Sequence, residues 1–423
     1  MRYISLLPLV LFLTIYLGGS VIAGDFYKIP MTVAFLLSSA VAIMVSRGNL
    51  NKRIKVFSAG ASDRNIMLMV WIYVMAGAFA SVAKEMGAVD ATVGLTMSVM
   101  PASMVYVGLF VASAFVSLAI GTSVGTIVAL TPIAVGMAGQ MGETPAEMAA
   151  IVVGGAYFGD NLSFISDTTI AATQTQGCKM ADKFRMNMGI IWPAVVVMLI
   201  VYIMMGREGS AGVGGEASDV IAVLPYVVVI AMSLMGCNVL MVLGIGIVTA
   251  SVIGIADGRY DIWGGLSAIE HGIGGMGDLI VVALLAGGML EVVRANGGIR
   301  ALLNLLRDHI GSRRSAEAAI GASVMVTNLC TANNTVAIIT VGRIVHDMAE
   351  RYGVDPRRAA SLLDTCSCTV QGLLPYGVQM LLASRLADCS PLEIVPHLYY
   401  PMLIGLCSAV SIITGKTLNL RRY

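Results

Sequence analysis

The sequence predicts an all-α polytopic membrane protein made of two inverted repeats, each with about five spans, one re-entrant hairpin and one broken helix. Three observations predict it. Of 423 residues, 57% are hydrophobic and 12% charged, with a mean hydropathy of +0.85, which leaves too little polar surface to cover a soluble domain. Apolar runs recur that are long enough to cross about 30 Å of hydrocarbon as helices. Residue matches also repeat at a nearly constant offset. Gly77 and Gly288, Gly87 and Gly298, and Pro145 and Pro356 are 211 apart, while Thr122 and Thr331, Thr126 and Thr335, and Thr131 and Thr340 are 209 apart.

The first repeat is expected over 1–206. Spans at about 3–23, 29–46 and 66–83 open it, and the run to Ala23 reads as a span rather than a cleaved leader. Arg47, Lys52, Arg53, Lys55 and Arg64 place the second loop and the N-terminus in the cytoplasm. Lys84, Glu85 and Asp90 form a weakly charged outer connection. The apolar stretch 104–141 is interrupted by Gly121-Thr122-Ser123-Val124-Gly125-Thr126 and lacks a basic cluster on either flank, so it reads as a hairpin entering from outside. A broken helix at about 146–173 ends at Lys179, Lys183 and Arg185, which mark its cytoplasmic end. A span at 188–206 returns outward.

A Gly-rich linker, 207–219, separates this half from the second, 220–423. Spans at about 220–236, 237–256 and 278–293 lead to Arg294 and Arg300. Ile299 to Ile310 reads as an amphipathic surface helix. The 316–348 segment carries Asn328 to Thr335 in its middle and basic residues on both flanks, Arg313 and Arg314 before it and Arg351, Arg357 and Arg358 after it. A hairpin entering from the cytoplasm satisfies both. A second broken helix at about 358–384 and a span at about 394–414 bring Lys416, Arg421 and Arg422 to the cytoplasm. Five crossings, an odd number, invert the second copy and put the site where the copies meet.

Several classes are excluded. A net charge of +1 with basic residues confined to short loops gives no nucleic-acid surface. Four scattered histidines without HExxH exclude an intramembrane metalloprotease. The seven cysteines have no metal-ligand spacing and read as buried free thiols. No enzyme activity and no cofactor are expected, and the bilayer is the partner. Tyr27, Trp192, Tyr399 and Tyr400 read as interface anchors.

The functional signal lies in Tyr157 to Thr169. Two carboxylates, an amide and four hydroxyls crowd into Asp160, Asn161, Ser163, Ser166, Asp167, Thr168 and Thr169. An ionised carboxylate near the bilayer centre costs roughly 2.5–3.5 kcal/mol, so two argue for a polar cavity or a bound cation. Gly159 and the dense acceptors favour a helix break, which offers bare carbonyls to a desolvated ion. Asp160 and Asp167 are the candidate Na+ ligands, because burial favours the protonated carboxyl and a nearby sodium ion the charged one. The same residues also suit plain N-capping, with Asp160, Ser163 and Ser166 as caps and Asp167 in the first turn.

The hairpin tips supply neutral oxygens for a hard cation: Ser123 and Thr126 in the first, Asn333, Asn334 and Thr335 in the second. Satisfying the turn's own backbone is their other reading. Asp364, with Thr365, Ser367 and Gln371, lies in the second broken helix and is a further candidate. Glu291 with Arg294 suits a rim pair, and Arg343 suits snorkelling to the surface.

The run Gly155-Ala156-Tyr157-Phe158-Gly159-Asp160, continuing through Ser163 to Ser166-Asp167-Thr168-Thr169, resembles the signature of the NhaC-type sodium/proton antiporters, as does Gly121-Thr122-Ser123 with Gly125-Thr126. The resemblance implies membership of the larger ion-transporter group, with elevator-type motion, usually a homodimer, the inner bacterial membrane and Na+/H+ exchange. Two positions depart from it. Asn161 stands where a basic residue is common, and Phe164 where proline is common; without a fixed positive charge beside Asp160 the charge balance changes. The expected function is therefore secondary antiport of Na+ against H+. The alternatives are a Na+- or H+-coupled carrier of a small organic anion or amino acid, as in malate/lactate-like or amino-acid exchange, and a passive channel.

Overall fold

The computed structural model describes residues 3–19, 22, 29–99, 101–208, 220–299, 301 and 310–415. All regular structure among them is helical. Helix α1 (Leu7–Leu13) is followed by α2 (Met31–Val45), α3 (Leu50–Ala61), α4 (Arg64–Glu85) and α5 (Ala88–Val99). Then come α6 (Ala102–Ile120), α7 (Ser123–Met141), α8 (Pro145–Leu162), α9 (Asp167–Gln176) and α10 (Met180–Glu208). The second part holds α11 (Leu224–Leu234), α12 (Val239–Ala256), α13 (Ile262–Gly275), α14 (Gly277–Ala295), α15 (Arg313–Thr331), α16 (Asn334–Tyr352), α17 (Pro356–Leu373), α18 (Val378–Leu386), α19 (Pro391–Ile394) and α20 (Tyr399–Thr414). Seven helices among the described residues are long and apolar enough to cross a membrane, or eight if the bent pair ending in α20 is one span. The protein is a polytopic α-helical membrane protein.

The same chemistry punctuates both parts. Gly142 ends α7 and Gly353 ends α16 in the left-handed conformation, which glycine adopts without the Cβ penalty. Two residues later Thr144 and Asp355 accept the first backbone N–H groups of α8 and α17, each with proline at the first helical position. Each such turn reverses the chain and sends a helix back alongside its predecessor. Helices α6 and α8 then pack so closely that a Cβ on Gly155 would come within 2.6 Å of Phe110 O. Ser117 Oγ donates to Ala156 O at 2.6 Å across this contact, and Asn328 Nδ2 donates to Ser367 O at 2.8 Å between α15 and α17.

The structure departs from the sequence reading at several elements. The basic loop 47–64 contains α3: Asn49 caps it through the Lys52 amide, and Arg53 donates back to Gly48, Ile43 and Met44 carbonyls at the end of α2. The connection after Glu85 continues as α5, whose Val89 and Val93 press on Gly136 of α7. Helix α13, unforeseen, lies on α4. In each case tertiary contact stabilises a segment whose own pattern is weak. Arg358, taken as a topology charge, is buried and pairs with Glu317 at 3.1 Å, with Ser411 Oγ at 2.8 Å from its other arm. Tyr400 is no interface anchor, since it is buried against Phe110 and Phe158, whereas Trp192 is exposed. Cys330, Cys366 and Cys368 are buried as free thiols, but Cys178, Cys237, Cys389 and Cys407 are only half-buried. Most of the 207–219 linker, most of the Ile299–Ile310 surface helix, the C-terminal basic cluster and Tyr27 lie outside the described residues.

Helices α4 and α13 cross backbone to backbone. A Cβ on Gly77 would run into the Gly272 carbonyl and one on Gly272 into that of Gly77. In lipid, where no hydrophobic force drives helices together, such small-residue contact is what holds a crossing. Gly77→Leu is therefore expected to cost about 1–3 kcal/mol or more through overpacking, read as lower melting temperature and loss of monodisperse protein in detergent. Gly139→Ala, where a Cβ meets nothing within 4 Å, leaves both unchanged or slightly improved.

Candidate functional site

The helical span from Pro145 breaks after Leu162. Ser163 N still bonds Gly159 O at 2.8 Å, but Phe164 and Ile165 turn outward and α9 restarts at Asp167. Phe164 stacks on Phe184 with ring centroids 4.8 Å apart. The first hairpin turns at Gly121, φ +75°, and its tip meets this break: a Cβ on Gly121 would lie 2.7 Å from Ile165 Cγ1. The second hairpin turns at Ala332, φ +47°, a left-handed conformation that costs a non-glycine residue about 1–2 kcal/mol. Strain of this kind persists only where surroundings impose it. Here the Ala332 carbonyl receives Gln371 Nε2 at 3.0 Å.

A cavity of about 120 Å³ opens between these turns. Asp160, Ser166, Asp167 and Thr168 line it from the break, Ser123 from the first tip, and Asn333, Asn334 and Thr335 from the second. Asn65, Leu68, Met69 and Ile72 of α4 close one wall. Eight of the twelve candidate residues thus share one space. It has room for a partly hydrated ion.

Asp160 is 5% exposed. Ser166 Oγ donates to its Oδ1 at 2.5 Å and Ser123 Oγ to its Oδ2 at 3.0 Å. Ser166 also bonds Thr168 Oγ1 at 2.8 Å, and α9 has no side-chain cap hydrogen bond. The serine that stands in the capping position is therefore turned to the carboxylate, and neither Asp160 nor Ser166 caps α9. Asp160 has no ion-pair partner among the described residues. Ser123 accepts from Gln379 Nε2 at 3.1 Å, and Gln379 Oε1 accepts from Gln371 Nε2 at 3.0 Å, so a chain of hydrogen bonds runs from Asp160 to the second hairpin tip.

Asp167 is exposed at the first turn of α9, facing the same cavity without a hydrogen bond among the described residues. Asn333 Oδ1 is committed to capping α16 through the Val336 amide at 3.0 Å. Asn334 Oδ1 accepts from Thr335 N at 3.1 Å, and its buried Nδ2 has no partner among the described residues. Thr126 and Ser163 do not line the cavity. Thr126 Oγ1 donates to Thr122 O at 3.3 Å and Ser163 Oγ to Leu118 O at 2.9 Å, so both serve the backbone.

Asn161 and Asp364 form a separate cluster behind the cavity wall. Asp364 Oδ2 accepts from Asn161 Nδ2 and Asn187 Nδ2, both at 3.0 Å, and lies 2.5 Å from Lys183 Nζ. Lys183, read in the sequence as a cytoplasmic charge, is 1% exposed. It also donates to Asn161 O at 2.7 Å and Thr169 Oγ1 at 2.6 Å. The position is thus not without a fixed positive charge: the ammonium reaches Asn161 from α10. Lys183, Asn187 and Gln379 were missed. Asn187, a lone amide in an apolar helix, was the one legible signal; Lys183 was masked by its basic neighbours Lys179 and Arg185. Glu291 and Arg294 pair at 3.1 Å on the rim, and Arg343 is exposed away from the cavity.

The profile of the Na+/H+ antiporter family matches residues 2–207 and 217–417. The chain belongs to the Na+/H+ antiporter family. Among its curated relatives is a protein named Na+/H+ antiporter NhaC from Alkalihalophilus pseudofirmus, 25% identical over 332 residues, 70% of this chain and 69% of that protein. Another of the same name from Bacillus subtilis is 22% identical over 71% of this chain and 73% of its own length. The arginine/ornithine antiporter ArcD of Halobacterium salinarum is 22% identical over 71% of this chain and 69% of its own. This member of the Na+/H+ antiporter family is a secondary transporter rather than an enzyme.

The two acidic positions differ in what they do for stability. Asp364→Leu leaves Lys183 charged and unpaired in the interior and is expected to cost about 3–5 kcal/mol, seen as a sharply reduced yield of folded protein. Asp167→Asn, at an exposed carboxylate without a partner among the described residues, leaves the melting temperature unchanged in the same assay.

Proposed function

We propose that the protein exchanges Na+ for H+ by competition of the two ions for Asp160, with Asp167, Ser166, Thr168, Ser123 and the second hairpin tip completing the site. The observation that carries this is a buried carboxylate that has two hydroxyl donors and no counter-charge, opening onto a small polar cavity. Hydroxyl hydrogen bonds alone leave the negative charge uncompensated, and a proton or a hard cation each supplies what is missing. Only one fits at a time, so loading one releases the other.

The domain plan follows the same reading. Helix bounds support two copies in register: those of α6, α7 and α8 recur in α15, α16 and α17 displaced by 211 positions at both ends. This register sets Thr122 against Asn333 rather than Thr331. Asp160 then corresponds to Gln371, so one copy supplies the acid and the other an amide. Residues of about 100–206 and 315–415 would move as the transport domain against a scaffold of the remaining spans. Basic loops support cytoplasmic termini in a bacterial inner membrane.

A second reading has one observation in its favour. The unpartnered Asn334 Nδ2 in the cavity wall is a donor, which suits a carboxylate rather than a cation. An amino-acid carrier would use it, as the name of the ArcD relative suggests.

Protein reconstituted in liposomes is expected to alkalinise the lumen after an external Na+ or Li+ pulse with no organic solute present, as Na+ enters and H+ leaves, and Asp160→Asn to reduce that signal to the protein-free background. Asp167→Asn is expected to weaken or abolish it. Unchanged exchange in both variants, or a strict requirement for an added amino or dicarboxylic acid, removes the proposal in favour of the second reading.

A further inference from the structure

Lys183 stands out because nothing in ion exchange at Asp160 requires it. Its ammonium carries three protons and meets three oxygens: the Asn161 carbonyl at 2.7 Å, the Thr169 hydroxyl at 2.6 Å and Asp364 Oδ2 at 2.5 Å. Those oxygens come from the end of α8, from α9 and from α17, while the lysine itself is on α10. A carbonyl at a helix C-terminus, a hydroxyl and a carboxylate form the ligand set of a hard cation, not of a lysine in particular.

Neighbouring amides also bond two of the three oxygens, Asn161 O and Asp364 Oδ2. Asn187 Nδ2 lies 3.0 Å from Asn161 O, 3.1 Å from Asn161 Oδ1 and 3.0 Å from Asp364 Oδ2. Asn161 Nδ2 adds its own bond to Asp364 Oδ2. Asp364 and Lys183 are 0% and 1% exposed, so water does not compensate the carboxylate. An empty cage would leave a buried charge and a helix-end dipole unopposed, which the interior does not tolerate.

We propose that Asn161 O, Thr169 Oγ1 and Asp364 Oδ2 form a monovalent-cation site, distinct from the Asp160 cavity, that Lys183 fills permanently as a tethered occupant. Because the ammonium is attached to the chain, its effective concentration exceeds that of any dissolved ion, and the site does not exchange. The consequence is that removal of the lysine would leave at this place a cation site open to dissolved ions. The proposal does not depend on Na+/H+ exchange, since it concerns occupancy of a different set of ligands.

The test is thermal unfolding of the purified full chain in detergent, in choline chloride and in increasing ammonium chloride, with Asp160→Asn present in every sample so that the neighbouring cavity does not contribute. Lys183→Met removes the occupant while keeping the length of the stem. It is expected to melt below the Lys183 protein in choline, and to recover in ammonium along the saturable curve of a ligand that binds only the folded state. Choline, too large for the cage, gives no recovery. Lys183→Met with Asp364→Asn, which lacks the cage charge, is expected to show no ammonium response. An equal melting temperature for Lys183→Met in both salts overturns the proposal, as does the same response in the variant lacking Asp364. Failure to recover any folded Lys183→Met protein when it is purified in ammonium overturns it as well.

Discussion

A carboxylate withdrawn from water must be compensated, and the core of this protein meets that constraint in two different ways, at Asp364 and at Asp160. Asp364 has a lysine of its own, two amide donors and no access to solvent. Asp160 has two serine hydroxyls and an open cavity. The first arrangement is closed and structural. The second has hydroxyl donors but no charged partner among the described residues, and it faces a polar cavity.

The helix breaks serve this contrast. An uninterrupted helix from Pro145 to Gln176 would satisfy its own carbonyls and offer nothing to a cation. The break at Ser163–Ser166 frees Asn161 O for Lys183 and Asn187, turns Ser166 towards Asp160, and places Asp167 at a positively polarised helix start. The first hairpin tip meets the break through Gly121, and the second is tied to α17 through Ala332, whose carbonyl accepts from Gln371 while its φ is left-handed. Glycine contacts between α4 and α13 bring those two helices together backbone to backbone.

Asn161 and Lys183 meet at one backbone carbonyl: the ammonium arrives from α10 onto Asn161 O, while the Asn161 side chain donates to Asp364. The buried charge of Asp364 is thereby met by a cation and two amides carried on α8 and α10.

Composition and hydropathy by themselves determined a polytopic helical membrane protein, because burial in lipid leaves no other use for so apolar a chain. The polar run from Asp160 to Thr169 marked the candidate site, since carboxylates in apolar surroundings are costly enough to be legible in one dimension. The sequence also brought Ser123, Asn333 and Asn334 to the list, as polar interruptions of apolar helices. Only the tertiary structure decided which side of the wall each group faces. It sent Asn161 and Asp364 behind the cavity, Thr126 and Ser163 to the backbone, and Lys183 and Arg358 inward from what read as surface clusters. The physical reason is that the partner of a buried charge lies far off in the chain, Asp364 for Lys183 and Glu317 for Arg358, and hydropathy along a segment carries no record of which distant residue will neutralise it.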